Sequence, residues 1–155
     1  MAKIVEGPRI GRTAPLKVGC CAAIFDESGK KLLLTRRTDN GQWCLPGGGM
    51  DPGESASEAC EREVLEETGL RATVRKLVGV YTSPDRITVY ADGNQFQFVA
   101  IVYEVSIEGG ELALDHESTE AGYFSESEIE QIDLIKSHRE RIPDIFARQD
   151  AAFAR

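Results

Sequence analysis

The segment 47–70 changes abruptly from a half rich in glycine and proline to a half that contains neither. Glycine and proline interrupt regular structure, whereas residues 55–68 are mostly good helix formers. Ser55 and Glu58 have the spacing of a capping box, and Gly69 stands where glycine ends a helix. The sequence therefore predicts a loop that becomes a helix near Ser55 and stops at Gly69.

Acidic side chains dominate this helix, since six glutamates and one arginine fall within residues 54–67. At about 100° per residue, Glu63 and Glu67 project into the same stripe as Cys60 and Val64, and Glu66 borders it. An acidic stretch is often only a solvated face. Carboxylates that turn inward are unfavourable unless something pairs with them, and like charges three or four residues apart repel. All-oxygen ligands favour a hard cation, so the pattern predicts bound Mg²⁺, with Mn²⁺ as a substitute.

Apolar runs separated by turn residues predict strands on both sides of the helix. Residues 17–25 and 31–36 are predicted to pair as a hairpin, and 72–81, 87–90 and 95–105 to form further strands. Turns are expected at 108–110 and a polar loop at 115–122. Residues 126–131 and 135–149 are predicted to be helical, with Pro143 interrupting the second. This order indicates an α+β or a layered α/β/α domain.

The identities and spacing of the central segment resemble the complete Nudix box. The matching positions are Gly48, Glu54, Arg62-Glu63-Val64, Glu66-Glu67 and Gly69-Leu70. The resemblance implies the Nudix fold of the α/β class, a mixed β-sheet between helices. It also implies a Mg²⁺-dependent hydrolase that cleaves a nucleoside diphosphate linked to another moiety, ADP-ribose-like or a nucleoside triphosphate. The alternative is a non-catalytic Nudix-fold module that binds a nucleotide or a protein, although such modules usually have an eroded box.

The resemblance also implies which residues hold the metal. Glu63 and Glu67 are the expected ligands, with Glu66 close by, Glu54 assisting and the backbone carbonyl of Gly47 as a further ligand.

Two catalytic roles follow from the same resemblance. Arg62 is expected to hold the glutamates through charge-assisted hydrogen bonds rather than to contact the substrate. The general base differs between relatives and stays open between Glu117, in the loop before Tyr123, and Glu66. Glu117 is also a candidate metal ligand, while Glu120 lies in the same loop.

Substrate contacts are predicted from residue chemistry alone. Arg36, Arg37 and Arg86 could bind phosphates, and Phe96 could stack on a base. His138 belongs to a charged predicted helix and is expected to be solvated.

The composition limits the other function classes. A net charge of −8 argues against general nucleic-acid binding, against an anionic membrane surface and against an RNA triphosphate end as the target. No apolar run is long enough to cross a membrane, so a cytoplasmic protein is expected. The four cysteines lack paired metal spacing and are predicted to be small buried hydrophobes. Residues 1–155 are predicted to form one domain, with 1–15 as an arm or a first edge strand and a homodimer as a possible assembly.

Overall fold

The computed structural model describes residues 2–155, so Met1, at the start of the predicted arm, lies outside the described residues. A 3₁₀ helix spans Ile10–Thr13. The strands are β1 Lys3–Glu6, β2 Leu16–Ile24, β3 Leu32–Arg37, β4 Trp43–Cys44, β5 Gly47–Gly49, β6 Leu70–Thr82, β7 Arg86–Val89, β8 Gln95–Gly110, β9 Ser118–Phe124 and β10 Phe153–Ala154. The α-helices are α1 Ala56–Thr68, α2 Glu126–Ile129, α3 Lys136–Arg139 and α4 Ile142–Ala147.

These strands form two sheets, of which the larger is mixed. Its path is β1-β7-β8-β2-β5, and β6 pairs with both β8 and β10. The contacts β2–β8 and β6–β10 are parallel, whereas β2–β5 and β6–β8 are antiparallel. The smaller sheet has the order β4-β3-β9.

Strand β2 separates two hydrophobic cores, because successive side chains of a strand point to opposite faces. Cys20, Ala22 and Ile24 pack against α1. Cys21 and Ala23 belong to the core on the other face, which includes residues of α2 and α4. Helices thus cover both faces of the sheet, and the predicted α/β/α architecture is confirmed. All four cysteines are buried and free, as predicted.

The predicted hairpin of residues 17–25 and 31–36 is wrong. β2 and β3 lie in different sheets and meet only at the antiparallel bridge between Phe25 and Leu32. The edges of β2 are occupied by β8 on one side and β5 on the other, so β3 pairs instead with β4 and β9. The apolar runs are strands, but β2 pairs with the distant β5 and β8, and β3 pairs with the nearby β4 and the distant β9.

Two predicted irregular segments are also strands. Gly109 and Gly110 continue β8 opposite Arg71 and Leu70, with φ values of 156° and 93° that favour glycine. The expected turn at 108–110 is therefore wrong. The predicted polar loop at 115–122 is shorter than expected, because Ser118–Phe124 pairs with β3.

The ends of the described chain lie on sheet strands. β1 pairs antiparallel with β7, which is the edge-strand alternative for the predicted arm. β10 was not predicted and pairs parallel with β6 at Gly79 and Val80. Arg155 follows it and donates two hydrogen bonds to the buried Asp144, at 2.8 and 3.0 Å. Among residues 2–155 no helix is long and apolar enough to cross a membrane.

Candidate functional site

Helix α1 begins and ends where its sequence predicts. The Ser55 hydroxyl accepts from the Glu58 N–H at 3.3 Å, and the Glu58 carboxylate accepts from the Ser55 N–H at 2.7 Å. Gly69 ends the helix at φ 71°, where its N–H donates to the Leu65 carbonyl at 2.9 Å. The capping box and the left-handed glycine fix which face of the helix turns inward.

That inward face carries the two predicted carboxylates. Glu67 is 9% exposed, and the Glu63 side chain is 15% exposed. Loss of solvation raises the pKa of Glu63, and it raises the pKa of Glu67 to about 8 although the Gly47 N–H donates to Glu67 Oε2 at 2.9 Å. The Glu66 side chain, by contrast, is 57% exposed. Glu67 is therefore buried and Glu63 half-buried beside the loop, whereas Glu66 faces solvent.

Arg62 connects the acidic residues in the way expected from the sequence. It donates to Glu54 at 3.0 and 2.7 Å, to Glu63 at 2.8 Å and to Glu66 at 3.2 Å. It also donates to the Gly49 carbonyl at 3.0 Å. The hydrogen bonds from Arg62 lower the pKa of Glu54 to about 2. One guanidinium thus fixes three carboxylates relative to the glycine-rich segment 47–54. This segment begins as β5 and is called the glycine loop below.

Two glycines let this loop approach its neighbours closely. Gly47 has φ 144°, and a Cβ there would lie 2.1 Å from the Cys20 carbonyl oxygen. A Cβ at Gly48 would lie 2.5 Å from the carboxylate of Glu63. The loop therefore holds Glu63 directly against its backbone, which a larger residue at position 48 would prevent.

The loop before β9 brings further negative charge to the buried pair. Glu117 lies close enough to raise the pKa of both Glu63 and Glu67. Asp115 also raises the pKa of Glu67 and accepts from the Glu117 N–H at 2.9 Å. The sequence analysis missed Asp115, since nothing local distinguishes it from an ordinary loop aspartate. The structure separates Glu117 from Glu120, whose carboxylate instead pairs with Arg36 at 2.7 Å.

The donor set matches the chemistry of a hard divalent cation. Its side-chain donors are all carboxylate oxygens, and Glu67 has no ion-pair partner within residues 2–155. No group of three His, Cys, Asp or Glu residues in the described chain is gathered into a ready ligand set. Arg62 explains this spacing, because it holds Glu54, Glu63 and Glu66 on its own donors. A hard divalent cation suits this all-oxygen donor set of Glu67 and the carboxylates that Arg62 positions.

A cavity of about 530 Å³ opens beside the Gly47–Gly49 loop on the opposite face of the sheet from α1. Predicted substrate residues Arg37 and Arg86 line it, although Asp39 and Glu140 respectively neutralise them.

The other two predicted substrate residues do not line this cavity. Arg36 donates to the Gly41 carbonyl at 2.8 Å as well as to Glu120. The Phe96 ring packs on Tyr90 with centroids 6.1 Å apart, while Phe98 lines the cavity instead.

The prediction that His138 is solvated is wrong. His138 is partly buried in the cavity wall, where its Nδ1 accepts from the Leu45 N–H at 3.0 Å. Burial and the charges of Arg141 and Arg37 hold the pKa of His138 well below its usual value. The imidazole is therefore neutral at pH 7 and supports the backbone that leads into the glycine loop. The charged residues around it in sequence gave no sign of this long-range contact.

The family model described as NUDIX domain matches residues 15–146. An "ADP-ribose pyrophosphatase" of Methanocaldococcus jannaschii is 40% identical over 101 residues, which are 63% of this chain and 56% of that protein. A "Putative 8-oxo-dGTP diphosphatase" of Bacillus subtilis is 40% identical over 101 residues, 65% of this chain and 60% of that protein. The chain thus spans less than two thirds of the length of these two relatives.

Solved structures agree with the sequence comparison. The crystal structure of a MutT protein from Methanosarcina mazei superposes with a TM-score of 0.69 at 27% identity. The match covers 87% of this chain and 95% of that protein.

Proposed function

This chain belongs to the NUDIX family, and on that basis we propose that it is a Mg²⁺- or Mn²⁺-dependent hydrolase of a phosphoric anhydride bond. The substrate is a nucleoside diphosphate linked to another group, as in ADP-ribose, or a nucleoside triphosphate. The printed names of the two relatives, an ADP-ribose pyrophosphatase and a putative 8-oxo-dGTP diphosphatase, support this range. We further propose a cytoplasmic enzyme, and a homodimer stays a prediction that sedimentation can test.

The observation that carries the proposal is the carboxylate pair Glu63 and Glu67 on the α1 side of Gly47–Gly49, whose other side borders a cavity large enough for a nucleotide. Glu67 has a single backbone donor and no ion-pair partner in the described chain, so its charged form lacks compensation. Glu63, Glu67, Glu66 and Glu54, with the Gly47 carbonyl and Glu117, would hold the cation. Bound there, the ion would polarise the phosphate oxygens and make a bound water more acidic.

Side chains of the protein carry out the other steps of the hydrolysis. Arg62 keeps Glu54, Glu63 and Glu66 in place and does not need to contact the substrate. Glu117 takes the proton of the attacking water, with Glu66 as the competing base. The water oxygen bonds to phosphorus while the anhydride P–O bond breaks, and the leaving phosphate carries the electron pair.

A non-catalytic binding module is the second candidate, but every position of the box keeps its identity and Arg62 makes its expected contacts. An enzyme acting on RNA triphosphate ends is a third, and the net charge of −8 disfavours it.

The test is a substrate panel that includes ADP-ribose, nucleoside triphosphates and their oxidised forms, each assayed with Mg²⁺ and with EDTA. Phosphate release after phosphatase treatment measures turnover, and chromatography shows whether the product is pyrophosphate or two monophosphates. Mg²⁺-dependent cleavage of one class supports the proposal and places the broken bond. Saturable binding across the panel without any cleavage would favour the binding module.

A further inference from the structure

Arg141 is a buried cation that has no carboxylate partner among residues 2–155. It is 7% exposed, precedes α4 and lines the cavity. Its Nη1 lies 3.5 Å from the Cys21 sulfur, and its guanidinium carbon lies 5.6 Å from the centre of the Tyr81 ring. Its Nε has no hydrogen-bond partner within residues 2–155. Neither a thiol nor an aromatic ring compensates a buried positive charge fully, so this side chain is poised for an anion.

Other arginines of the same cavity are neutralised. Arg37 pairs with Asp39 at 2.8 Å, Arg86 pairs with Glu140 at 2.6 Å, and Arg155 contacts Asp144. Within residues 2–155, Arg141 therefore differs from the other arginines of the cavity, each of which has a carboxylate partner.

Lys17 is a second cation of the cavity without a carboxylate within 4.0 Å in the described chain. Its Nζ lies over the rings of Tyr90 and Phe96, 5.9 and 5.1 Å from their centres. A Cβ added at Gly49 would lie 3.6 Å from this Nζ, so the ammonium group sits against the end of the glycine loop.

Arg141 lies near the other end of the same loop. Cys21, which its Nη1 contacts, is paired in register with Gly47 across β2 and β5. The Gly47 N–H in turn donates to Glu67. The segment Gly47–Gly49 therefore has Glu63 and Glu67 on its α1 side and, on its cavity side, two cations that lack a carboxylate partner in the part of the chain that the structure describes.

We propose that Arg141 and Lys17 form a subsite for the phosphate oxygens of the substrate on the cavity side of Gly47–Gly49. The inference rests on the proposed function and adds two specificity-determining residues to it. Arg141 offers a planar pair of donors to two oxygens of one phosphate, and Lys17 offers a point charge to its neighbour. A ligand with two linked phosphates engages both cations, whereas a monophosphate engages only one.

Metal-free binding of inorganic pyrophosphate tests this subsite separately from catalysis. In EDTA, pyrophosphate should raise the Tm of the wild-type protein, and titration calorimetry should give a Kd at least tenfold lower than for inorganic phosphate. Arg141→Met and Lys17→Met should each weaken pyrophosphate binding at least tenfold, and Arg141→Lys should keep part of it. Because Arg141→Met removes an uncompensated buried charge, its ligand-free Tm should be no lower than that of wild type.

Arg139→Met is the matched control from the same segment. Arg139 donates to the carbonyls of Ile129 and Ile132 at 3.1 and 2.6 Å, so its loss should lower the ligand-free Tm and leave the shift with pyrophosphate unchanged.

Three results would overturn the subsite. The first is that the wild-type protein does not bind pyrophosphate in EDTA. The second is that Arg141→Met binds pyrophosphate as tightly as wild type. The third is that Arg141→Met has a lower ligand-free Tm than wild type, as Arg139→Met does. If Arg141→Met fails to fold, Lys17→Met and Arg141→Lys decide the question through their Kd values. Any of these results alongside Mg²⁺-dependent hydrolysis would leave the proposed function standing, whereas a wild type that binds pyrophosphate but hydrolyses nothing in the panel would refute that function alone.

Discussion

The backbone N–H of Gly47 donates a 2.9 Å hydrogen bond to Oε2 of Glu67. This bond joins the glycine loop to the last turn of α1, across twenty residues of sequence. One neutral donor offsets only part of the cost of burying a carboxylate, and the pKa of Glu67 therefore rises to about 8. The bond from Gly47 fixes the position of the Glu67 carboxylate. Without a cation, the charged form of this carboxylate is poorly stabilised.

Glu67→Gln should reduce turnover with Mg²⁺ by about a hundredfold or more, because the amide removes a charged ligand oxygen. The fold should persist, since the glutamine carbonyl can still accept from Gly47 and position 67 no longer carries a buried charge. Steady-state phosphate release and thermal unfolding measure the two effects. Glu61→Gln is the control on the same helix, because within residues 2–155 Glu61 accepts only from the Val74 N–H, at 2.8 Å. A near-normal rate for Glu67→Gln would remove the metal assignment.

Glu117→Gln should reduce kcat by roughly 10²- to 10⁴-fold if Glu117 is the general base. Glu120→Gln should have little effect, because Glu120 pairs with Arg36 away from the buried acids. The pH–rate profile of each variant completes the test, since loss of the base should remove the acidic limb. If Glu66→Gln rather than Glu117→Gln removes that limb, the base is Glu66.

Gly48→Ala should impair activity much more than stability. The added methyl would meet the carboxylate of Glu63, which is the flexible end of a side chain and can move aside. The free energy of unfolding should therefore change by less than about 1 kcal/mol. Glu63 would then leave both the loop and its bond with Arg62, and turnover should fall at least tenfold. Gly7→Ala is the control, because its Cβ would meet only ordinary contacts. An active Gly48→Ala enzyme would show that the position of Glu63 is not critical.

The stabilising contribution of neutral His138 should be lost as the pH drops from 7 to 5.5, whereas Glu67, with its pKa raised to about 8, changes the stability in the opposite direction over the same range. Its folded-state pKa lies well below the usual 6.5, so below that pH the unfolded chain binds a proton that the folded protein does not. The contribution of neutral His138 is present above pH 6.5 and is lost as the pH falls toward the folded pKa. His138→Asn can still accept from the Leu45 N–H and lacks this loss, so its stability relative to wild type should rise as the pH falls.

Denaturant unfolding at half-unit pH steps measures the effect. The control is His116→Asn, whose side chain is 90% exposed and should leave the wild-type slope unchanged. An equal slope in His138→Asn and wild type would contradict the assignment.

Local sequence signals were enough to predict helix α1 and its acidic face. The rest of the fold depends on which strands pair across the sheets. Ser55, Glu58 and Gly69 fix the limits of α1 within a few residues, so the inward turn of Glu63 and Glu67 could be deduced from spacing. The partners of β2 could not, because β5 and β8 reach it from other parts of the chain.

The same reason explains the residues that the sequence analysis misjudged. His138 contacts Leu45 from 93 positions away, and Arg141 contacts Cys21 from 120 positions away. Both stand in a segment of alternating charge that is typical of solvent exposure. A charged or polar residue in such a segment becomes part of a cavity only through tertiary packing.

Strand β2 contributes side chains to both hydrophobic cores, so a change in this strand can affect both cores. Its even-numbered residues Cys20, Ala22 and Ile24 support the helix that carries the acids, while Cys21 and Ala23 face the opposite core, and Cys21 also lines the cavity. A one-residue insertion would exchange the two sets, because neighbouring side chains point in opposite directions. New substrate preferences can therefore arise by point substitution of residues on the cavity face of β2. A change in the length of β2 would instead disrupt the packing of both hydrophobic cores at once.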